Sequence, residues 1–343
     1  MYKFNRGLDN IYSYQAQNNQ LIYLKKDSSS SELFLNDNRI IEENVKSFIS
    51  NSEYIVFTTT KQKVFIYNIL ENTLNLLFEN HAVGEIFFSD YRIDLYRWND
   101  DNFSNYDRLF YDYLNRKIIF ENSIIPTREV NGGLLFEQLT HTTLKSINFE
   151  TGTYHWEVDL GVYINSVLGV FANKLWIYTG TNELISLALN TGQILQRIRS
   201  HDFHPNVSDS GFVAFAVHFE EEQGRITFLE HRTYVEFDLA SCQVIRQKSF
   251  DTGNPQADWA FSVNSLDDDY CYFVGNQGRD AGFAQWVGVL NRTTLEVEWS
   301  EHLGKQNPRN YWALNKAPLS DGNKLYVHDS EGTLHIFEKT EDN

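Results

Sequence analysis

The chain has 343 residues, 42% of them hydrophobic and 15% aromatic, enough to bury a substantial core. Its 29 basic and 46 acidic residues leave a formal charge of −17. That balance argues against nonspecific nucleic-acid binding and against docking on an anionic membrane, since both need Lys and Arg at phosphates. It favours solubility, and it allows a basic protein partner to be steered by charge.

Length alone would suggest two domains, but a repeat array can make one large domain of this size. No long Pro/Ser/Gly linker interrupts the chain, and the expectation is a single domain over 1–343. The N-terminus has no continuous apolar run of the secretory type, and no transmembrane span is apparent. Read as a full-length chain, it is expected in the cytoplasm. Cys242 falls in an expected hairpin turn and Cys271 in an expected strand, and neither has a partner at metal or redox spacing.

Taken in order, short alternating or apolar runs recur in threes. The first set is Gln20–Lys25, Glu32–Leu35 and Arg39–Glu42; the second is Tyr54–Thr58, Val64–Asn68 and Leu74–Phe78. The third is Arg92–Arg97, Arg108–Tyr113 and Lys117–Glu121. Leu134–Gln138 leads into TLKSINFETGTYHWEVDLG (143–161), two strands joined by a tight Gly-containing turn. Lys174–Tyr178 leads into ELISLALNTGQILQRIR (183–199), Arg225–Leu229 into 233–249, and Asp269–Val274 into 284–300. The last set, Lys324–His328 and Thr333–Glu338, lacks an outer strand, whereas Met1–Phe4 lacks a partner at its own end. Pairing the two would close a ring and remove exposed sheet edges. Phe87, Phe88, Phe171, Phe215, Phe219 and Phe261 lie in the apolar stretches expected as innermost strands. No segment has helical periodicity.

The fragment Ile147-Asn148-Phe149-Glu150-Thr151-Gly152, with Trp156 four residues on, resembles the repeat of the quinoprotein-type (PQQ-like) β-propellers. So does Leu187-Ala188-Leu189-Asn190-Thr191-Gly192. The resemblance is good over 143–200, partial at 233–249 and 284–300, where Trp299 stands near the Trp156 position, and faint before residue 120. It implies that the glycine closes a hairpin and that the tryptophan packs between blades. WD40 propellers fit less well, because the hairpins lack the Trp-Asp dipeptide. The expected fold is all-β: one propeller of eight four-stranded blades, about 43 residues each, with seven blades as the alternative.

The family's quinone dehydrogenases use a vicinal cysteine pair and a calcium ion, and no Cys-Cys occurs here. The expectation is a non-enzymatic member without cofactors. His201-Asp202-Phe203-His204 is a metal-like cluster, with His201, Asp202 and His204 as candidate ligands; their spacing does not guarantee the geometry, Pro205 points to a turn, and the expectation is a solvated polar loop without a metal. Asp267-Asp268-Asp269 and Asn99-Asp100-Asp101-Asn102 lack calcium-loop spacing and read as solvated turns. No P-loop, Gly-x-Ser-x-Gly or dinucleotide fingerprint occurs.

Loop length points elsewhere. Two connections between second and third strands are long: Trp98–Tyr106 and Gly275–Phe283. Long connections between sets run over Arg199–Gly211, Phe250–Asp268 and Glu301–Asn315. Together they supply Trp98, Phe103, Tyr106, Trp259, Arg279, Asp280, Phe283, Arg309, Tyr311 and Trp312, the aromatic and arginine mix of binding hot spots. Trp259 and Trp312 read equally as buried plugs between blades. The functional expectation is a protein-interaction scaffold binding a basic protein partner through this loop-rich face. One version is an immunity-type inhibitor that masks a basic toxin. The alternatives are a propeller hydrolase or lyase at the channel mouth, drawing on His201, Asp202, His204, Asp258, Arg279 and Arg309, or a carbohydrate-binding module.

Overall fold

The computed structural model describes residues 1–89, 92–98, 106–122, 126–130, 134–138, 140–148, 153–199, 216–254, 257–278, 284–303, 314 and 316–340. Every four-stranded sheet in it is antiparallel, and there are eight, as the repeat count predicts. After β1 (Tyr2–Leu8), the first sheet holds β2 (Ile11–Gln17), β3 (Gln20–Lys26), β4 (Ser31–Leu35) and β5 (Asn38–Arg39). The second holds β6 (Val45–Ser50), β7 (Tyr54–Thr59), β8 (Lys63–Asn68) and β9 (Thr73–Glu79). The third holds β10 (His81–Ser89), β11 (Arg92–Trp98), β12 (Tyr106–Asp112) and β13 (Lys117–Asn122). The fourth holds β14 (Pro126–Val130), β15 (Leu134–Gln138), β16 (Thr143–Asn148) and β17 (Tyr154–Asp159). The fifth holds β18 (Ile164–Phe171), β19 (Lys174–Thr179), β20 (Glu183–Ala188) and β21 (Ile194–Arg199). The sixth holds β22 (Val217–Glu220), β23 (Arg225–Glu230), β24 (Thr233–Asp238) and β25 (Gln243–Ser249). The seventh holds β26 (Trp259–Leu266), β27 (Tyr270–Gln277), β28 (Trp286–Asn291) and β29 (Val297–His302).

The eighth sheet is assembled from both ends of the chain. Its strands β30 (Leu319–Ser320), β31 (Lys324–His328) and β32 (Leu334–Lys339) lie beside β1 in the order β1-β32-β31-β30. Tyr2 pairs with Lys339 and Leu8 with Leu334, so the N-terminal strand is the outer strand that the last repeat lacked. The expected outer strand Arg39–Glu42 is the one clear departure. It shrinks to Asn38–Arg39, which follow a tight turn with Asn36 and Asp37 both in left-handed backbone (φ 48 and 69).

Two compact units divide the strands. One comprises Met1–Ser29, Phe34–Ile40 and His201–Asn343 and holds the sixth, seventh and eighth sheets with most of the first; the other comprises Ser30–Leu33 and Ile41–Ser200 and holds the second to fifth. Within each, burial falls from inner to outer strands. The second strands β7, β19 and β23 are buried almost throughout, which is why YIVF and LWIY read as unbroken apolar runs and ITFL is broken only by Thr227: both faces are covered. The outer strands β21 and β25 alternate between half-buried and exposed residues, the signature of one wet face. Consecutive sheets share apolar clusters. Val56 and Val64 meet Ile93 and Leu95 in one unit; Tyr272 and Val289 meet Leu325 and Phe337 in the other.

A hidden repeat governs the turns between third and fourth strands. Asn72, Arg116, Gly192, Cys242 and Leu295 all take left-handed backbone, and each stands four residues after the turn's opening position. That position is Asn68, Asp112, Ala188, Asp238 or Asn291. The Asx side chains there accept backbone N–H groups, as in Asn115 N–H to Asp112 at 2.8 Å and Thr294 N–H to Asn291 at 2.9 Å. Only one of the five uses glycine, so the glycine-based pattern fades while the geometry persists.

Just past an irregularity in the pairing of third and fourth strands, a fourth-strand side chain reaches the next sheet. Trp156 is buried and its indole N–H donates to the Leu189 carbonyl at 2.8 Å. Trp299 packs its ring on Tyr2 at 5.4 Å and on Phe337 at 5.3 Å. Arg246 donates to the Arg292 and Thr293 carbonyls. At the same register in β1, Arg6 binds Asp37 at 2.7 Å. The between-blade tryptophan implied by the resemblance is therefore one filling of a recurring position. At Gly192, an added Cβ would stand 2.6 Å from the Trp156 ring on a backbone already at φ +69.

Trp156→Ala is expected to cost about 3–5 kcal/mol in urea unfolding, whereas Trp156→Phe, which keeps most of the packing, costs about 1–2 kcal/mol. Equal losses for the two would show that the hydrogen bond, and not the ring, holds the sheets together.

Candidate functional site

Within a sheet, the connections from second to third strand lie at one end, with those leading to the next sheet. On the sixth and seventh sheets the described part of this end is built around Asp258. Its side chain is fully buried and accepts the Thr252 N–H and Thr252 hydroxyl, both at 2.7 Å, and the Arg232 guanidinium at 3.1 Å. Arg232 also donates to the Gly278 carbonyl at 3.2 Å, and the Gly278 N–H returns to the Asp258 carbonyl at 2.9 Å. The Thr252 hydroxyl, its N–H and the Arg232 charge hold the Asp258 carboxyl below the usual carboxylate range, outweighing burial. Asp258 therefore ties three connections together as a fixed anion.

Of the expected binding residues, Trp259 is 6% exposed and stands edge-on to Phe273 at 5.3 Å and Trp286 at 5.8 Å. It is a packing residue, the plug reading offered by its size. Trp98 and Tyr106 form the last pair of β11 and β12, so the long loop begins where that ladder ends. Phe103, Arg279, Asp280, Phe283, Arg309, Tyr311 and Trp312 lie outside the described residues, as do His201, Asp202 and His204. The described structure brings Asp258 and Trp259 together with Arg232 and Gly278.

The sequence reading missed a buried ionic network between the sixth and seventh sheets. Arg292 bonds Glu220 at 2.8 Å and lies 3.6 Å from Glu236; Arg225 lies 3.0 Å from Glu220 and 3.4 Å from Glu236. The Glu220, Glu236 and Arg292 side chains are 3–6% exposed. Thr227 donates to Glu220 at 2.5 Å, Tyr234 donates to Glu236, and Arg292 reaches the Asp267 carbonyl at 2.6 Å. Burial alone would raise the Glu220 pKa; Thr227, Arg225 and Arg292 outweigh it and hold it low. Two guanidiniums face two carboxylates, so the network is an ionic fastener between the two sheets. Its signal was present in TYVEFD, where Glu236 interrupts a run of buried apolar residues.

Two recesses open at the opposite strand ends of the unit that contains the eighth sheet. A polar cleft of about 420 Å³ lies between the eighth and first sheets, lined by Asn5, Arg6, Asn19, Asn36, Asp37 and Lys324 among others. Asp37 occupies its wall, taking Arg6 at 2.7 Å and the Tyr23 hydroxyl at 3.0 Å. A smaller recess of about 180 Å³ lies between the seventh and eighth sheets, walled by Tyr2, Tyr270 and Trp299.

No protein-family model matches the chain by sequence, and no curated protein does. Solved structures do match by shape. The C-terminal WD40 domain of Sif2 aligns over 99% of both chains, with a TM-score of 0.65 and 11% identity. Sqt1 of Saccharomyces cerevisiae aligns over 99% of this chain and 98% of its own, with a TM-score of 0.57 and 12% identity. BamB from Moraxella catarrhalis aligns over 99% of this chain and all of its own, with a TM-score of 0.51 and 9% identity. At such identities the likeness shows the fold alone: an all-β propeller of eight four-stranded blades. Both propeller classes weighed in the sequence occur among these neighbours.

Acid should unfold the protein in two stages. Burial holds the His218 and His328 pKa values down, so their neutral forms are favoured in the fold and stability falls as pH drops below the ordinary histidine value. Glu220, Asp258 and Asp329 also titrate lower than in the unfolded chain. Their contribution is fully present above the ordinary carboxylate range and is lost as pH falls through their depressed values. Urea midpoints measured against pH should show both declines, and His218→Gln should flatten the upper one. A midpoint independent of pH down to the carboxylate range would contradict the histidine stage.

Proposed function

We propose that this chain is a non-catalytic protein-interaction module that binds a basic protein partner through the end carrying its long loops. The observation that carries the reading is the placement of three buried acids whose pKa is held down. Glu220, Asp258 and Asp329 are all buried and held by fixed neighbours, Asp329 by His335 at 2.9 Å and by the Glu331 and Thr333 N–H groups at 2.9 Å each. Enzymes converge such groups on an open cleft, where they meet substrate. Here they brace connections and sheet junctions, which suits a rigid platform for loops.

The formal charge of −17 favours a basic partner, with association sensitive to salt. Arg279, Asp280, Phe283, Arg309, Tyr311 and Trp312 are the proposed contact residues on the long connections of one unit, and Trp98, Phe103 and Tyr106 are those proposed on the other. An immunity-type inhibitor masking a basic toxin in the cytoplasm is the narrower form of the proposal, and it rests on charge.

The test is affinity capture with tagged chain from the lysate of its own source cells at low and moderate salt, alongside Arg309→Ala and Tyr311→Ala. A stoichiometric basic partner is expected, bound about tenfold more weakly at the higher salt and lost in both variants. A partner indifferent to both substitutions would sink the loop-end assignment. An empty capture at both salts would sink the stable partner itself.

A further inference from the structure

The recess between the seventh and eighth sheets has the chemistry of a cation site. Its floor is Tyr2, which is 7% exposed, and the half-buried Tyr270 and Trp299 form two walls. Tyr2 and Trp299 stand 5.4 Å apart with their planes inclined at 54°, so the rings meet at an angle and enclose a corner. The exposed carboxylate of Glu298 is on the rim, steadied by Asn291 Nδ2 at 2.7 Å. Burial pushes the Tyr270 pKa up, and the charges of Glu298, Asp269 and Asp267 add to it. Aromatic faces and carboxylates around a cavity of about 180 Å³ favour a positively charged, weakly hydrated group.

The chain already places such a group there. The ammonium of Lys339, an exposed residue in the last pair of the β1–β32 ladder, lies 5.5 Å from the centre of the Tyr270 ring. Lys26, Lys145 and Lys248 also cover rings, those of Tyr12, Tyr154 and Phe250. The Lys339 contact is set apart by the second and third aromatic walls and the cavity beside it.

We propose that this recess binds an organic cation of the alkylammonium class, with Lys339 as a built-in and displaceable occupant. The ring faces recognise the cation, Glu298 supplies the counter-charge, and Tyr2 sets the depth. The site lies at the strand ends opposite the long loops and does not depend on the loop-end reading. The same chemistry could arrive as a free quaternary amine or as a lysine side chain of a basic protein, and the experiment separates these.

Calorimetric titration of the full chain would use choline, its uncharged tert-butyl analogue, and a short oligolysine peptide. Choline should bind and the uncharged analogue should not. Lys339→Ala should tighten choline binding by about threefold to tenfold, because the internal competitor is gone. Tyr270→Leu and Glu298→Gln, at partly and fully exposed positions, should weaken it by similar factors while leaving the urea midpoint close to that of the parent. Trp299→Ala is avoided as the main test, since that ring also packs on Phe337. Oligolysine that displaces choline would assign the recess to a protein's lysine; oligolysine that binds without displacing it would assign the recess to a free amine. Equal binding of choline and its uncharged analogue would overturn the proposal, as would choline binding unmoved by Lys339→Ala and Tyr270→Leu, or none at all. Loss of choline binding with capture of a basic partner intact would remove the recess and leave the loop-end proposal standing.

Discussion

The covering of sheet faces is the constraint on which the rest depends. A four-stranded sheet whose second strand is apolar on both sides cannot stand in water alone. The runs YIVF in β7 and LWIY in β19 are buried on alternate residues of both faces, so each requires material above and below. Consecutive sheets provide it within each unit, through clusters such as Phe136, Leu144 and Trp156 against Ile164, Leu175 and Ile177. The outer strands escape this demand on one face, and their sequences show it. ILQRIR and QVIRQKS mix arginine, lysine and glutamine among their apolar residues, which also discourages further strand addition at the edge.

Sheet contacts of this kind slide unless something fixes their register, and the fourth-strand position represented by Trp156, Arg246, Trp299 and Arg6 does so. Trp156 there couples apolar burial to one directed hydrogen bond, and Trp299 packs against two rings. An arginine couples charge to carbonyls or a carboxylate on the next sheet's turn. The two chemistries occupy one geometric slot because the turn presents both a flat apolar flank and outward-facing carbonyls. The Glu220–Arg292–Glu236–Arg225 network serves the same junction from inside, between the sixth and seventh sheets. Buried ion pairs add little net stability against apolar replacements of the same shape, yet they penalise any shifted arrangement that separates the charges. Their contribution in this molecule is to register.

Strand positions were legible in the sequence because their cause is local. Alternation and unbroken apolar runs follow from burial on one face or two, so Lys174–Tyr178 and Arg225–Leu229 could be read directly. Ring closure was legible from what was missing, an outer strand at one end and a partner at the other. The turn repeat was only half legible. The glycine of Asn190-Thr191-Gly192 signals left-handed backbone, but Arg116, Cys242 and Leu295 adopt the same conformation at the same place with φ between 53° and 56°. Their strain of roughly a kcal/mol each is offset by Asx bonds and by the packing of the next sheet, and the second of these cannot be seen in the turn's own letters. Likewise Thr59, Thr179 and Asp329 accept the N–H four residues later, at 3.4, 3.0 and 2.9 Å, with three different neighbourhoods in sequence.

Site residues were less legible, for a physical reason that separates Trp259 from Arg232. A tryptophan in a connection looks like a hot spot because large aromatics serve both interfaces and cores, and composition alone cannot tell which. Trp259 begins β26, where alternation places its ring inward against Phe273; its position in the strand, and not its type, decides its role. Arg232 passed unnoticed in a short turn, yet it joins Asp258 and Gly278 across three connections. Tyr270, Trp299, Tyr2 and Lys339 could not have been grouped from sequence at all, since they come from both ends of the chain and from two different strands of the seventh sheet. The pairing of β1 with β32 creates their proximity. The closure that removes the exposed edge thus also builds the aromatic corner beside it. In a fold whose stability comes from repetition, such a corner forms at the one junction that repetition does not make.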